Sequence, residues 1–198
     1  MKRAILCLVA VAALASPAWG QVTITCLEVG PDVVCSSPGG PIATTGLTGL
    51  TTIGSPSAVV PSQPAVVIGS ASSIDRYSGL SSPGAFGAGG TTLPSTESGP
   101  LFGAAGSGGT VLAVPTGHTS GATVGASSMT FSTATFATLG MIPGTYPWTW
   151  ASGTLTLQIG PPPAVPAAST AGLALLMLAA LVLLAVLVGR KTSLEIAA

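Results

Sequence analysis

Ionisable side chains are scarce in this chain. Five Lys/Arg and five Asp/Glu are spread over 198 residues, 5% of the sequence, and the formal net charge is zero. An ordinary soluble domain has about 25% charged residues. No Lys/Arg cluster occurs outside the two termini. Phosphate backbones are held by several cations on one surface, so nucleic acid is not an expected partner. Asn is absent, and His118 is the only histidine. A four-ligand metal centre has too few donors at the right spacing, so no metal or cofactor is expected. No phosphate-binding loop, dinucleotide fingerprint or calcium loop is present. A Ser/His/Asp relay can be written with His118 and Asp32 or Asp75, but no strained nucleophile turn accompanies it. A paired-carboxylate hydrolase would need two of Glu28, Asp32, Asp75 and Glu97 in one cleft. The expectation is therefore a protein that is not an enzyme, with a hydrolase as the weakest alternative.

Turn-forming residues are plentiful instead. Gly (27) and Pro (17) together make about 22% of the chain, close to the range of low-complexity behaviour. The apolar fraction is 47%, and much of it lies in two terminal runs that do not belong to a soluble core.

The first run follows Met1-Lys2-Arg3. Twelve apolar residues, Ala4 to Ala15, precede Ser16-Pro17-Ala18-Trp19-Gly20. Basic region, apolar region and small-x-small site make a secretory signal, with cleavage expected between Gly20 and Gln21. No Cys follows that site, so a lipoprotein is not expected. The second run, Ala171 to Gly189, has 19 residues without a charge. As a helix it spans about 28 Å, enough for the hydrocarbon core. Arg190 and Lys191 follow at once as a basic stop. Cations stay on the cytoplasmic side, so residues 21–170 are expected outside. The expected partners are thus the membrane, the secretion machinery and signal peptidase.

Of three cysteines, Cys7 leaves with the signal, and Cys26 and Cys35 remain. In an oxidising compartment these two are expected to pair. Closing a loop of about ten residues is worth roughly 2.5–3 kcal/mol on the loop-entropy model.

The exported body, Gln21 to Thr170, contains five charged residues: Glu28, Asp32, Asp75, Arg76 and Glu97. Its first part, residues 21–79, is loosely patterned. Val22–Val29 and Ala65–Gly69 have strand character. Pro38–Ser57 reads as loop, with turn residues every few positions. Gly84–Gly109 is Gly-rich, and Gly106-Ser107-Gly108-Gly109 reads as linker. From Thr110 the pattern sharpens. Thr110–Pro115 is β-rich, and Ser127–Thr133 alternates with Met129 and Phe131 on one face. Ala134–Gly140 suits one helical turn ended by Gly140. Thr145–Trp150 places Tyr146, Trp148 and Trp150 on one face. Ala151-Ser152-Gly153 suits a turn and Thr154–Ile159 a second strand, which together predict a hairpin. The three aromatics suit either core packing or a platform for stacking sugars. Pro147 lacks an N–H and suggests an edge or a bulge.

Two stretches carry a resemblance. Val114, Pro115, Gly117, Ser120 and Gly121 form the first. Thr135, Phe136, Leu139, Gly140, Pro143–Tyr146 and Trp148–Trp150 form the second. In this order they resemble exported bacterial proteins with PEP-CTERM or IPTL-CTERM sorting tails. His118 stands where an aromatic is more usual. In the tail, Val165-Pro166-Ala167-Ala168-Ser169-Thr170 resembles the recognition motif of that group, with Ala167 and Ala168 replacing its Glu and second Pro. The resemblance implies recognition by an exosortase-type peptidase, cleavage near Pro166 and transfer to the cell surface. A plain single-pass anchor is the alternative.

The expected fold is mainly β: a small β-sandwich-like domain with long Gly/Ser/Thr-rich loops, between an N-terminal signal helix and a C-terminal transmembrane helix. The expected divisions are 1–20, signal; 21–79, loosely patterned segment; 80–160, β-rich domain; 161–170, Pro-rich spacer with the sorting-like motif; 171–189, membrane helix; and 190–198, cytoplasmic tail. The expected role is that of a structural envelope or surface protein associated with extracellular polysaccharide or biofilm. A carbohydrate-binding module using exposed aromatics is the alternative.

Overall fold

The computed structural model describes residues 20–161. The expected signal before Gly20, the motif Val165–Thr170, the segment 171–189 and Arg190 and Lys191 lie outside the described residues.

Fourteen strands are present among the described residues. In chain order they are β1 (Gln21–Val29), β2 (Asp32–Ser37), β3 (Gly40–Pro41), β4 (Thr48–Ser55), β5 (Ala58–Val60), β6 (Ala65–Ile68), β7 (Ser72–Ser78) and β8 (Thr96–Ser98). They continue with β9 (Phe102–Ala105), β10 (Val111–Pro115), β11 (Thr123–Val124), β12 (Ser127–Phe131), β13 (Gly144–Trp150) and β14 (Gly153–Ile159). One six-stranded sheet runs β13-β14-β1-β2-β12-β8, and a second runs β4-β7-β10-β9-β6-β5. The short strands β3 and β11 pair separately.

In the first sheet, alternation sets the inward face. Val22, Ile24 and Cys26 of β1 are buried, and so are Val33 and Cys35 of β2, Met129 and Phe131 of β12, and Leu155, Leu157 and Ile159 of β14. The second sheet supplies Val59, Val66, Ile68, Phe102, Ala104, Leu112 and Val114 to the same buried cluster. Removing such side chains from water at about 25 cal/mol per Å² is the main force holding the two sheets to one core.

The hairpin expected from the sequence is present. Tyr146 lies opposite Leu157, Trp148 opposite Leu155 and Trp150 opposite Gly153. β13 is an edge strand, which gives Pro147 a place where no ladder donor is lost. β14 also pairs in parallel with β1, from Gln21 opposite Thr154 to Cys26 opposite Ile159. The first and last described strands are therefore neighbours.

Several segments differ from expectation. Residues 21–79 supply central strands of both sheets, so no boundary falls near residue 80. The alternation of Val22, Ile24 and Cys26 was legible, but its pairing with β14, over a hundred residues away, was not. Within Pro38–Ser57, β4 is a strand whose residues are nearly all exposed. It pairs with β7 alone, at the sheet edge, so no buried face imposes a period of two. The Gly-rich stretch 84–109 contains β8, β9 and the fully buried Phe86. Ser107–Gly109 is a short 3-10 turn. A Cβ at Gly109 would lie 2.1 Å from the Pro64 carbonyl oxygen and 2.9 Å from Trp148 Nε1, so this stretch is packed rather than a linker.

The turn at Ala134–Gly140 forms as expected, and its ends explain the residue types. Thr138 N–H donates to Thr135 Oγ1 (3.1 Å), and Thr135 N–H donates back to Thr138 Oγ1 (2.8 Å). This is a reciprocal N-terminal cap with Thr in both roles. At the other end Met141 N–H reaches Phe136 O (2.8 Å) and Gly140 N–H reaches Ala137 O (3.1 Å). Gly140 has φ +64°, the left-handed residue this C-terminal motif requires.

Candidate functional site

The aromatic face of β13 points into the core. Trp148 is completely buried, and Tyr146 and Trp150 are half-buried against the same cluster. Phe86 meets Trp148 edge-on, with centroids 6.4 Å apart, and is tilted against Tyr146 at 5.7 Å. Both distances suit aromatic pairing. Phe86 sits in a loop without periodic neighbours, so no sequence pattern singles it out as a partner of Trp148. The polar tips of the flanking rings are engaged. Trp150 Nε1 donates to Ala43 O (2.7 Å), and Tyr146 Oη donates to Ile142 O (3.0 Å). Trp148 Nε1 is buried and has no partner. The three rings thus do not form an exposed flat platform.

Cys26 and Cys35 are bonded to one another as expected, with Cα atoms 4.0 Å apart. They lie directly opposite in the β1–β2 pair and are fully buried. The connecting turn is Gly30-Pro31, since Val29 faces Asp32. Gly30 takes φ +62°, which a two-residue hairpin turn asks of its first position.

The four carboxylates do not converge. Glu28 Oε1 accepts from Phe136 N–H (2.6 Å), and Asp32 Oδ1 accepts from Thr133 N–H (2.8 Å). Thr133 has φ +54°, a positive value rare outside glycine. These two acids at the end of the β1–β2 hairpin tie down the start of the Thr135–Gly140 turn. Asp75, buried in the second sheet, accepts from Thr52 Oγ1 (2.6 Å) and Gly117 N–H (2.8 Å). Glu97 accepts from Ala71 N–H (2.7 Å) and from the hydroxyl of the fully buried Ser57. The Ala71 amide, then the Ser57 hydroxyl, hold the Glu97 carboxyl below its usual range. Each carboxylate therefore satisfies backbone or hydroxyl donors far away in sequence.

His118 Nε2 lies 2.8 Å from Ile42 O. No hydrogen bond joins it to Asp32 or Asp75, so the relay written from the sequence is not assembled. The loop carrying His118 does border a groove of about 430 Å³, lined by Ala43, Thr45, Ser120, Gly121, Ala151 and Ser152. Ser120 Oγ accepts from Thr44 N–H (2.9 Å), and Ser152 Oγ donates to Thr45 O (2.7 Å). These hydroxyls hold loops together. Among the described residues no group of three His, Cys, Asp or Glu could hold a metal ion.

Gly20 and Gln21 stand at the start of β1. Gly20 is buried, and its carbonyl accepts from Thr154 N–H (2.9 Å). No family model, curated protein or solved structure matches the chain.

Proposed function

We propose that this chain is an exported structural protein of the cell envelope, its β-sandwich body held outside the membrane by a C-terminal segment. The observation that carries the reading is the pairing of two sequence signals with one chemical fact. The signals are the three-part N-terminus ending at Gly20 and the 19-residue uncharged run before Arg190 and Lys191. The chemical fact is a buried disulfide between the two cysteines left after signal removal, a bond that persists in oxidising compartments. The use of all four carboxylates as loop ties supports a structural role over a catalytic one. An aromatic sugar platform draws no support from Tyr146, Trp148 and Trp150, which turn inward.

Cleavage after Gly20 removes the carbonyl that Thr154 N–H uses, so peptidase action on the unfolded chain precedes closure of the β1–β14 pair. At the other end the account has two branches. An exosortase-type peptidase cuts near Pro166 and the body moves to the surface, or 171–189 remains as a plain anchor. Fractionation with mass analysis of both termini tests this. Mature chains that begin at Gln21 support export. A C-terminus near Ala167 supports sorting, and one at Ala198 in the detergent-extractable fraction supports plain anchoring.

A further inference from the structure

Arg76 is the only Lys or Arg between Gln21 and Thr170, and its stem lies on the sheet face of buried Ile74 and Ala113. It lies in β7, opposite Ala113 of β10 and Thr51 of β4. Its neighbour Asp75 is opposite Val114, a residue of the main core. Successive side chains point to opposite faces of a sheet, so Arg76 points away from the main cluster and from the Asp75 carboxylate, onto the face that holds the smaller buried cluster of Val67, Ile74, Leu101 and Ala113. Glu28, Asp32, Asp75 and Glu97 bond to the donors described above, none of them Arg76. Arg76 is half-buried, and its Nε is buried without a hydrogen-bond partner.

The surroundings shape a trough there. Gly49, Thr51, Arg76, Ser78 and Val111 enclose about 220 Å³. Edge strand β4 breaks its register between Thr48, opposite Ser78, and Thr51, opposite Arg76. Two residues, Gly49 and Leu50, therefore face the single Tyr77, which is a β-bulge. Gly49 takes φ +70°, and nothing lies within 4 Å of where its Cβ would be. On the other side, a Cβ at Gly106 would come within 3.3 Å of Arg76 Nη2, so that glycine leaves room for the fork.

We propose that this trough binds a carboxylate-bearing sugar, a single uronic-acid residue, with its carboxylate on the Arg76 guanidinium. One partly desolvated fork matches one planar, singly charged carboxylate in two parallel hydrogen bonds. A dianionic phosphate would call for more cations than this trough has. The hydroxyl-bearing Thr51 and Ser78 flank the fork and suit sugar hydroxyls, and Val111 gives an apolar wall for a ring face. The body has four carboxylates and one guanidinium, so its long-range field repels polyanions. Recognition therefore rests on short-range contacts with one residue. The inference is independent of how the C-terminus is processed.

The test is a titration of the full chain, ¹⁵N-labelled and in detergent micelles, with sodium glucuronate. The readout is the arginine Nε–Hε resonances, and Arg76→Lys identifies the Arg76 signal against those of Arg3 and Arg190. The expected result is a saturable shift of the Arg76 resonance with glucuronate and none with glucose. Arg76→Gln should weaken binding, followed by calorimetry, at least about tenfold, and Arg76→Lys should also weaken it because the fork is lost. Thr51→Val and Ser78→Ala, both at exposed positions, should each weaken it about threefold with unchanged melting. They keep the test valid if Arg76→Gln fails to fold. No shift with glucuronate, or equal binding by Arg76→Gln, would overturn the site. Acetate binding as tightly as glucuronate, or inorganic phosphate binding more tightly, would overturn the sugar-acid assignment.

Discussion

Replacing Trp148 by Ala and by Phe separates two contributions that the structure places on one side chain. The ring is fully buried, so truncation to Ala removes the apolar contacts and leaves a cavity beside Phe86. Such truncations cost about 3–5 kcal/mol. With a urea slope of about 2 kcal/mol/M, that moves the unfolding midpoint down by roughly 2 M. Phe keeps most of the ring and the edge-on contact with Phe86. It loses roughly 1–2 kcal/mol of packing, but it also removes Nε1, which is buried without a partner. An unsatisfied buried donor costs about 1–3 kcal/mol, so the two changes offset and Trp148→Phe should stay within about 1 kcal/mol of the native protein. Urea titration followed by circular dichroism measures both variants. If Trp148→Phe destabilises as much as Trp148→Ala, Nε1 has a partner and the offset is wrong. If Trp148→Ala costs under about 1 kcal/mol, the ring is not part of the core.

Three further outcomes follow from the same structure. Cys26→Ala with Cys35→Ala should lose about 2.5–3 kcal/mol on the loop-entropy model, and alkylation of the untreated protein under non-reducing conditions should label neither thiol. Gly30→Ala meets open space and carries only the left-handed penalty of about 1–2 kcal/mol. Gly140→Ala has the same penalty plus a Cβ 2.5 Å from Gly89 N, so its melting temperature should fall further than that of Gly30→Ala. Glu97 is held below its usual range by the Ala71 amide and Ser57. Its contribution to stability is therefore present above the ordinary glutamate value of about 4.3 and is lost as pH falls through the lowered folded-state value. Glu97→Gln should flatten that acid limb of the melting-temperature profile, and an unchanged limb would show that Glu97 does not take part.

What could be read from the sequence depended on whether one face of a strand is buried. β1, β12, β13 and β14 alternate because they have a core side and a water side, and all four were legible. β4 and β8 are exposed on both faces, so they show no alternation, and in the sequence they lie in loop-like and Gly-rich stretches. The Cys26–Cys35 pairing was legible from the cysteine count and the expected compartment, whereas its position within a hairpin needed the register. The carboxylate roles were hidden for a different reason. Glu28 and Phe136 are 108 positions apart, and Asp32 and Thr133 are 101 apart, so no local motif announces either bond. Arg76 was visible as a lone cation, but its trough depends on a bulge in β4 and a glycine before β10, which only the paired sheet brings together.

Export of the body is the central claim, and intact-mass analysis of the protein from membrane and surface fractions, before and after reduction and alkylation, tests it most directly. The account predicts a chain beginning at Gln21 whose thiols become alkylatable only after reduction. A chain retaining Met1, recovered without detergent and with Cys26 and Cys35 both free, would contradict it.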